Sequence, residues 1–168
     1  QVLLGCKKRG FAEGMYNGFG GKVEPGETPI VAAARELHEE ACISANLKEC
    51  GILLFVSENF EYSHYIHIFR AEEYGGVPTE TEEMRPEWYS IPPEYREGHS
   101  DASNASKATL PPIPYEKMWP DDKFWVPLMF RHIYFEGRAD FGEVGKDGKG
   151  NEKSVMERWW FGARPVQE

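Results

Sequence analysis

A chain of 168 residues is sized for one domain, and its 40% hydrophobic and 14% aromatic content is enough for a real core. The formal charge of −9 argues against a sheath for a nucleic-acid polymer, which needs a basic face, and no apolar run is long enough to cross a bilayer. Cys6, Cys42 and Cys50 are odd in number and lack metal-ligand spacing, which fits a reducing compartment.

In chain order, "VLLGCKKRGF" reads as a short strand and a basic turn, directly after Gln1. "GMYNGFGGKVEPGE" is rich in glycine and turn formers and reads as a loop. Thr28 offers an N-cap and Pro29 the first helical position, where a missing N–H costs nothing. Ile30, Ala33, Ala34, Leu37 and Ala41 then recur at helical spacing and predict an apolar stripe. "GILLFV", "HYIHIF" and "PEWYSI" are strand candidates. Residues 92–114 are Pro/Ser/Asn-rich and aperiodic, so a surface insertion is expected. "KMWPDDKFWVPL" reads as the start of a second helix. Residues 135–162 are expected to form a hairpin around a polar Gly/Lys turn. Strands mixed with two helices predict a layered α/β domain spanning 1–168.

The block "GGKVEPGETPIVAAARELHEEACI" carries the chemistry. On a helix, Glu36, Glu39 and Glu40 share a face, and three crowded carboxylates repel unless a cation sits among them. Hard divalent ions take oxygen ligands, and Mg²⁺ commonly joins a few carboxylates to substrate phosphates. The Gly20-Gly21 pair lets the backbone approach, so a carbonyl can add a ligand. Arg35 is placed to pair with Glu27 or Glu39 and tie the loop to the helix. A solvated acidic helix face is the competing reading of "ELHEE".

The whole spacing is more specific. Gly21, five residues, Glu27, seven residues, then Arg35-Glu36-Leu37-x-Glu39-Glu40 resembles the Nudix box of hydrolases that cleave nucleoside diphosphates linked to another group. Cys42 stands where the motif has its last glycine, and should strain the helix exit by about 1 kcal/mol. "VLLGCKKRGF", "NGFGGKV", "EEMRPEW" and "MWPDDKFWVPL" together resemble the eukaryotic MutT-homologue branch of that family. The resemblance implies a mixed-sheet α/β/α sandwich whose first strand, with a base-contacting side chain, is expected to be missing ahead of "VLLG". It implies hydrolysis of oxidised purine nucleoside triphosphates such as 8-oxo-dGTP and 2-hydroxy-dATP to the monophosphate and pyrophosphate. The alternatives are a Nudix hydrolase of a dinucleoside polyphosphate or nucleotide sugar, and a nucleotide-binding module weak in catalysis.

Carried over by position, the resemblance implies Mg²⁺, or Mn²⁺ in its place, bound by the Gly20 carbonyl, Glu36, Glu39, Glu40 and Glu83. Glu39 or Glu40 acts as base or purely as ligand. Lys7 and Lys22 match positions near phosphates or sugar, with Phe19, Gly20 and Gly21 in the substrate-binding loop. Asn17, Trp119, Asp121 and Asp122 match a base pocket walled by Phe11, Phe55 and Met84. Each has a plainer reading: Asn17-Gly18 as a turn, Phe55 as core, Met84 as gap-filler. Tyr16 replaces a common Trp, and His64 falls where a pocket Met would lie, changes that bear on base preference. The expected partner is a small nucleotide, with no nucleic-acid polymer and no membrane. A monomer is expected, in the cytoplasm or in nuclear or mitochondrial nucleotide pools.

The adjacent acids Asp121 and Asp122 admit two readings. One is capping at the positive end of the second helix. The other is a carboxyl pair that shares a proton and reads a purine's edge, since two neighbouring acids in a partly dry pocket do not easily both ionise.

Overall fold

The computed structural model describes residues 1–58, 61–95, 110–146 and 152–164, without the side chains of 143–146 and 152–154. Most of the expected 92–114 insertion and the turn of the C-terminal hairpin lie outside the described residues. Strands β1 (Val2–Lys7), β2 (Tyr16–Asn17), β3 (Ile43–Ala45), β4 (Lys48–Ser57), β5 (His64–Arg70), β6 (Tyr74–Gly76), β7 (Met84–Tyr89), β8 (Phe135–Lys146) and β9 (Glu152–Ala163) accompany helices α1 (Pro29–Ala41) and α2 (Asp122–Phe130). The chain forms two compact units, one from Gln1–Lys48 and Ala71–Trp119, the other from Glu49–Arg70 and Pro120–Glu168.

In the first unit β1 lies between β2 and β7, antiparallel to both, and β7 pairs along all of β1, from Val2↔Tyr89 to Lys7↔Met84. Leu4, Cys6, Tyr16, Met84 and Tyr89 are buried along these strands. The two-residue strand β2 stands inside the segment read as a loop, because its Tyr16 packs edge-on against Tyr89 at 5.5 Å and so earns a place beside β1. The short pair β3–β6 was also not foreseen, being too brief to show a period.

Helix α1 starts where expected, with Thr28 extended at the N-cap and Pro29 in the first turn, although the Thr28 side chain makes no capping bond. It packs against β3 and β7. The expected stripe needs correction. Ala41 is buried as expected, but Ile30 is 44% exposed and Ala34 is exposed too, whereas Ala32 and Glu40, outside the stripe, are buried. The buried face thus takes in a carboxylate, that of Glu40, beside the small side chains of Ala32 and Ala41. At the exit Cys42 takes φ 58°, ψ 27°, the left-handed conformation the motif's glycine would supply, and its N–H donates to the His38 carbonyl at 2.9 Å. Cys42→Gly should therefore raise stability by about 1 kcal/mol, read as a higher denaturation midpoint at unchanged slope.

The second unit carries a four-stranded sheet in the order β5-β4-β8-β9. Its β4–β8 pairing is parallel and its β8–β9 pairing antiparallel, so the expected mixed sheet is present. Cys50, Leu53 and Phe135 form its core, with Trp125, Leu128 and Met129 of α2 packed on them. Gly51 faces Phe135 across the parallel pair, and the aromatic ring fills the space a Cβ would need. No helix among the described residues is long and apolar enough to cross a membrane.

Candidate active site

The α1 side chains define the acidic part of the site. Arg35 is its organising cation. Its Nε and Nη2 donate to the two oxygens of Glu27, at 2.9 and 3.0 Å, in a bidentate pair. Its Nη1 reaches Glu36 at 2.8 Å and Glu39 at 3.2 Å, and Nη2 also donates to the Lys22 carbonyl. Loop and helix are thus pinned together, and the hydrogen bond from Arg35 holds the Glu27 carboxyl below the usual carboxylate range. Gly21 passes so close to Glu36 that any Cβ there would collide with the carboxylate.

Glu40 differs from its neighbours. It is 6% exposed, and its Oε2 accepts the Gly20 N–H at 2.9 Å. Burial pushes its carboxyl up to about 7; the Gly20 bond and the charge of Lys7 oppose this, while the negative charges of Glu36 and Glu83 add to it. Glu36, Glu83 and Lys7 therefore act electrostatically on Glu40, which the Gly20 backbone holds by a direct bond. Glu39 turns its largely exposed carboxylate toward the same Arg35 nitrogen that Glu36 reaches. Among the described residues no three His, Cys, Asp or Glu groups form a ready-made metal cluster. The donor set nonetheless fits a hard divalent ion: a buried carboxyl pressed by two like charges is relieved by added positive charge, and all the groups offer oxygen.

The remaining expected residues of the first unit fall into two groups. Phe11 stacks on Trp119, with ring centroids 5.6 Å apart and planes 27° apart. Phe19 and Met84 pack over Gly5, leaving no room for a Cβ, and Asn17 pairs with Gly5 across β1 and β2. Lys22 is exposed. Tyr16, in place of the common Trp, donates its hydroxyl to Glu87 at 3.2 Å, and Tyr89 donates to the same oxygen at 2.9 Å.

In the second unit, Phe55 packs at the border of the core and edge-on to Phe141, in keeping with its plainer reading. His64 is half-buried on β5, edge-on to Tyr62. Asp121 and Asp122 are 2% and 5% exposed. The capping reading of Asp121 fails at the level of geometry: the residue precedes α2 but its side chain makes no capping bond. Its Oδ2 instead accepts the Trp125 indole N–H at 3.0 Å, and its Oδ1 is buried with no hydrogen-bond partner. Burial raises the Asp121 carboxyl above the usual carboxylate range, opposed by the Trp125 bond. Sequence reasoning missed Trp125, although its i, i+4 spacing from Asp121 was the available signal. It also missed Lys8, Arg9 and Thr81, which fasten the segment carrying Glu83.

This arrangement of a glycine loop, an Arg-pinned acidic helix and a buried terminal glutamate coincides with a family match. Residues 1–102 match the NUDIX domain, and the chain belongs to the Nudix family. It is 40% identical over 142 residues to the oxidized purine nucleoside triphosphate hydrolase of Mus musculus, covering 84% of this chain and 79% of that protein. The protein of the same name from Danio rerio is 41% identical over the same shares. In fold the chain resembles the crystal structure of a mutator MutT protein from Bacillus halodurans, with a TM-score of 0.59 and 21% identity, over 96% of this chain and 89% of that one.

Proposed function

We propose that this Nudix hydrolase acts on oxidised purine nucleoside triphosphates, releasing pyrophosphate and the nucleoside monophosphate. The observation that carries the hydrolytic reading is the buried Glu40, seated against the Gly20 backbone and pressed by Glu36 and Glu83. The substrate class is supported by the two vertebrate relatives of that name.

The reading places Mg²⁺, with Mn²⁺ as a substitute, on Glu36, Glu39, Glu40, Glu83 and the Gly20 carbonyl. When bound, such an ion neutralises charge on the triphosphate and makes a water a better nucleophile at phosphorus. The protein's own contribution is positioning. Arg35 fixes the loop relative to the helix, and the absence of a Cβ at Gly21 lets that loop approach Glu36. Lys7 and Lys22 supply positive charge for phosphate oxygens, which suits a chemistry dominated by orientation and charge. Phe11 and Trp119 offer flat apolar surface for a base, and Asp121 and Asp122 offer carboxyls that match a purine edge. The chain is proposed to work as a single domain and a monomer, on the nucleotide pool of the cytoplasm or of nuclei or mitochondria.

A panel of 8-oxo-dGTP, 2-hydroxy-dATP, dGTP and ADP-ribose, each with Mg²⁺, tests the reading. The expected result is the highest kcat/KM on the two oxidised triphosphates. A preference for ADP-ribose would move the chain to the diphosphate-sugar branch and overturn the proposal.

A further inference from the structure

Glu40 and Glu83 arrive from different elements, one at the end of α1 and the other just ahead of β7. Two like charges brought near each other push apart, and Glu83 stands on the loop side, its carboxylate paired with Arg9. Something must fasten the loop to the helix. Thr81 occupies that junction. Its hydroxyl lies 3.3 Å from the Glu40 carbonyl and 3.4 Å from the Met84 carbonyl and can donate to either. The same oxygen accepts the N–H groups of Glu83 at 3.3 Å and of Met84 at 3.1 Å. The Glu40 carbonyl belongs to the last turn of α1, where carbonyls lack helical partners, so this bond meets a need on the helix side too. Neighbouring bonds support the junction without replacing it. The Thr79 N–H reaches the Ala41 carbonyl at 3.0 Å. The Lys8 ammonium donates to the Thr81 carbonyl at 2.6 Å and pairs with Glu80 at 2.7 Å.

We propose that Thr81 is a positioning residue whose hydroxyl ties the backbone of Glu83 to the end of α1 that carries Glu40 and so tunes the affinity of the site for a divalent ion. The proposal rests on the reading of Glu40 and Glu83 as metal ligands. Thr81 itself touches neither ion nor substrate. Its effect runs through the backbone on both sides of one oxygen atom. The isostere Thr81→Val keeps the shape and loses the hydroxyl, and Thr81→Ser keeps the hydroxyl and loses the methyl.

The test is Mn²⁺ binding to the nucleotide-free protein, followed by the loss of the free-ion electron paramagnetic resonance signal. Circular dichroism verifies folding, and Thr81→Ala replaces Thr81→Val if the valine protein does not fold. Removing an outer partner of a metal ligand typically costs roughly 10–100-fold in affinity, so Thr81→Val should weaken Mn²⁺ binding by about that factor, while Thr81→Ser stays near the wild type. In turnover, the loss should appear in the metal concentration needed for half-maximal rate rather than in the rate at saturating metal. Glu40→Gln serves as the reference and should weaken binding more than Thr81→Val does. If Glu40→Gln weakens binding but folded Thr81→Val matches the wild type, the positioning role is wrong. It is equally wrong if Thr81→Ser is as weak as Thr81→Val. If Glu40→Gln itself binds Mn²⁺ like the wild type, the metal-site reading falls, and this proposal with it.

Discussion

Glu40→Gln should leave the protein folded and lower kcat by roughly two to three orders of magnitude, the scale seen when one electrostatic partner of a transition state is removed. The amide keeps the size of the carboxyl and can still accept the Gly20 N–H through its oxygen, so local packing survives. What disappears is the ionisable carboxyl at the buried end of α1, on which the charges of Glu36 and Glu83 act. Steady-state kinetics at saturating metal, alongside a thermal melt, separates the two effects. A turnover rate like that of the wild type would show that Glu40 is a structural acid and would remove the central support for the hydrolytic site. The same substitution at Glu39, exposed and paired with Arg35, should cost less, because solvent already screens that carboxylate.

Asp121→Asn should change the ratio of kcat/KM between 8-oxo-dGTP and 2-hydroxy-dATP by about tenfold or more, the discrimination carried by a good pair of hydrogen bonds to a base edge. Asp121 has a buried oxygen without a hydrogen-bond partner, and its other oxygen accepts from Trp125. A carboxyl in that setting can accept when ionised and donate when protonated, and oxidised guanine and adenine ask for different patterns. An amide cannot exchange these roles by moving a proton. If the ratio and the rates stay at wild-type values, Asp121 does not read the base.

Stability provides a second reading of the same variant. Burial raises the Asp121 pKa in the folded state, so the native protein holds the proton more tightly than the unfolded chain. Its contribution to stability is greatest below the unfolded value of about 3.9, falls as pH rises toward the folded value, and is flat above it. Asn carries no such charge, so Asp121→Asn should remove that decline. Denaturant midpoints across this range measure it.

The legible parts of this molecule were those with a local signature. Thr28-Pro29 marked the start of α1, the Gly21-to-Glu40 spacing marked the acidic site, "GILLFV" and "HYIHIF" marked β4 and β5, and the polar Gly/Lys turn marked β8 and β9 as a hairpin. The face that α1 buries was not legible, because alanines give little direction and the decisive burial is of Glu40, a residue that normally prefers water. Strand β2 was hidden for a related reason: glycines around Tyr16-Asn17 argue for a loop, and only the contact with Tyr89 outweighs them. The role of Asp121 turned on one long-range fact, the depth of its burial, that adjacent acids in a sequence cannot convey. Thr81 was invisible because a single hydroxyl between two acids has no period and no motif of its own.

The parallel pairing of β4 with β8 has a consequence for how the molecule is made. Gly51 meets Phe135, and in the first unit Val2 meets Tyr89, so partners lie roughly half the chain apart in sequence. Such distant pairings must be closed against chain entropy before they repay it, and they slow folding. A ribosome that has exposed only residues 1–102, the stretch matching the family domain, has supplied β7 to β1 but has not yet made β8. The apolar edge of β4 must wait for it. Synthesis therefore passes through an interval in which "GILLFV" is an open template for other strands, and truncation within that interval should yield aggregates rather than a smaller soluble enzyme.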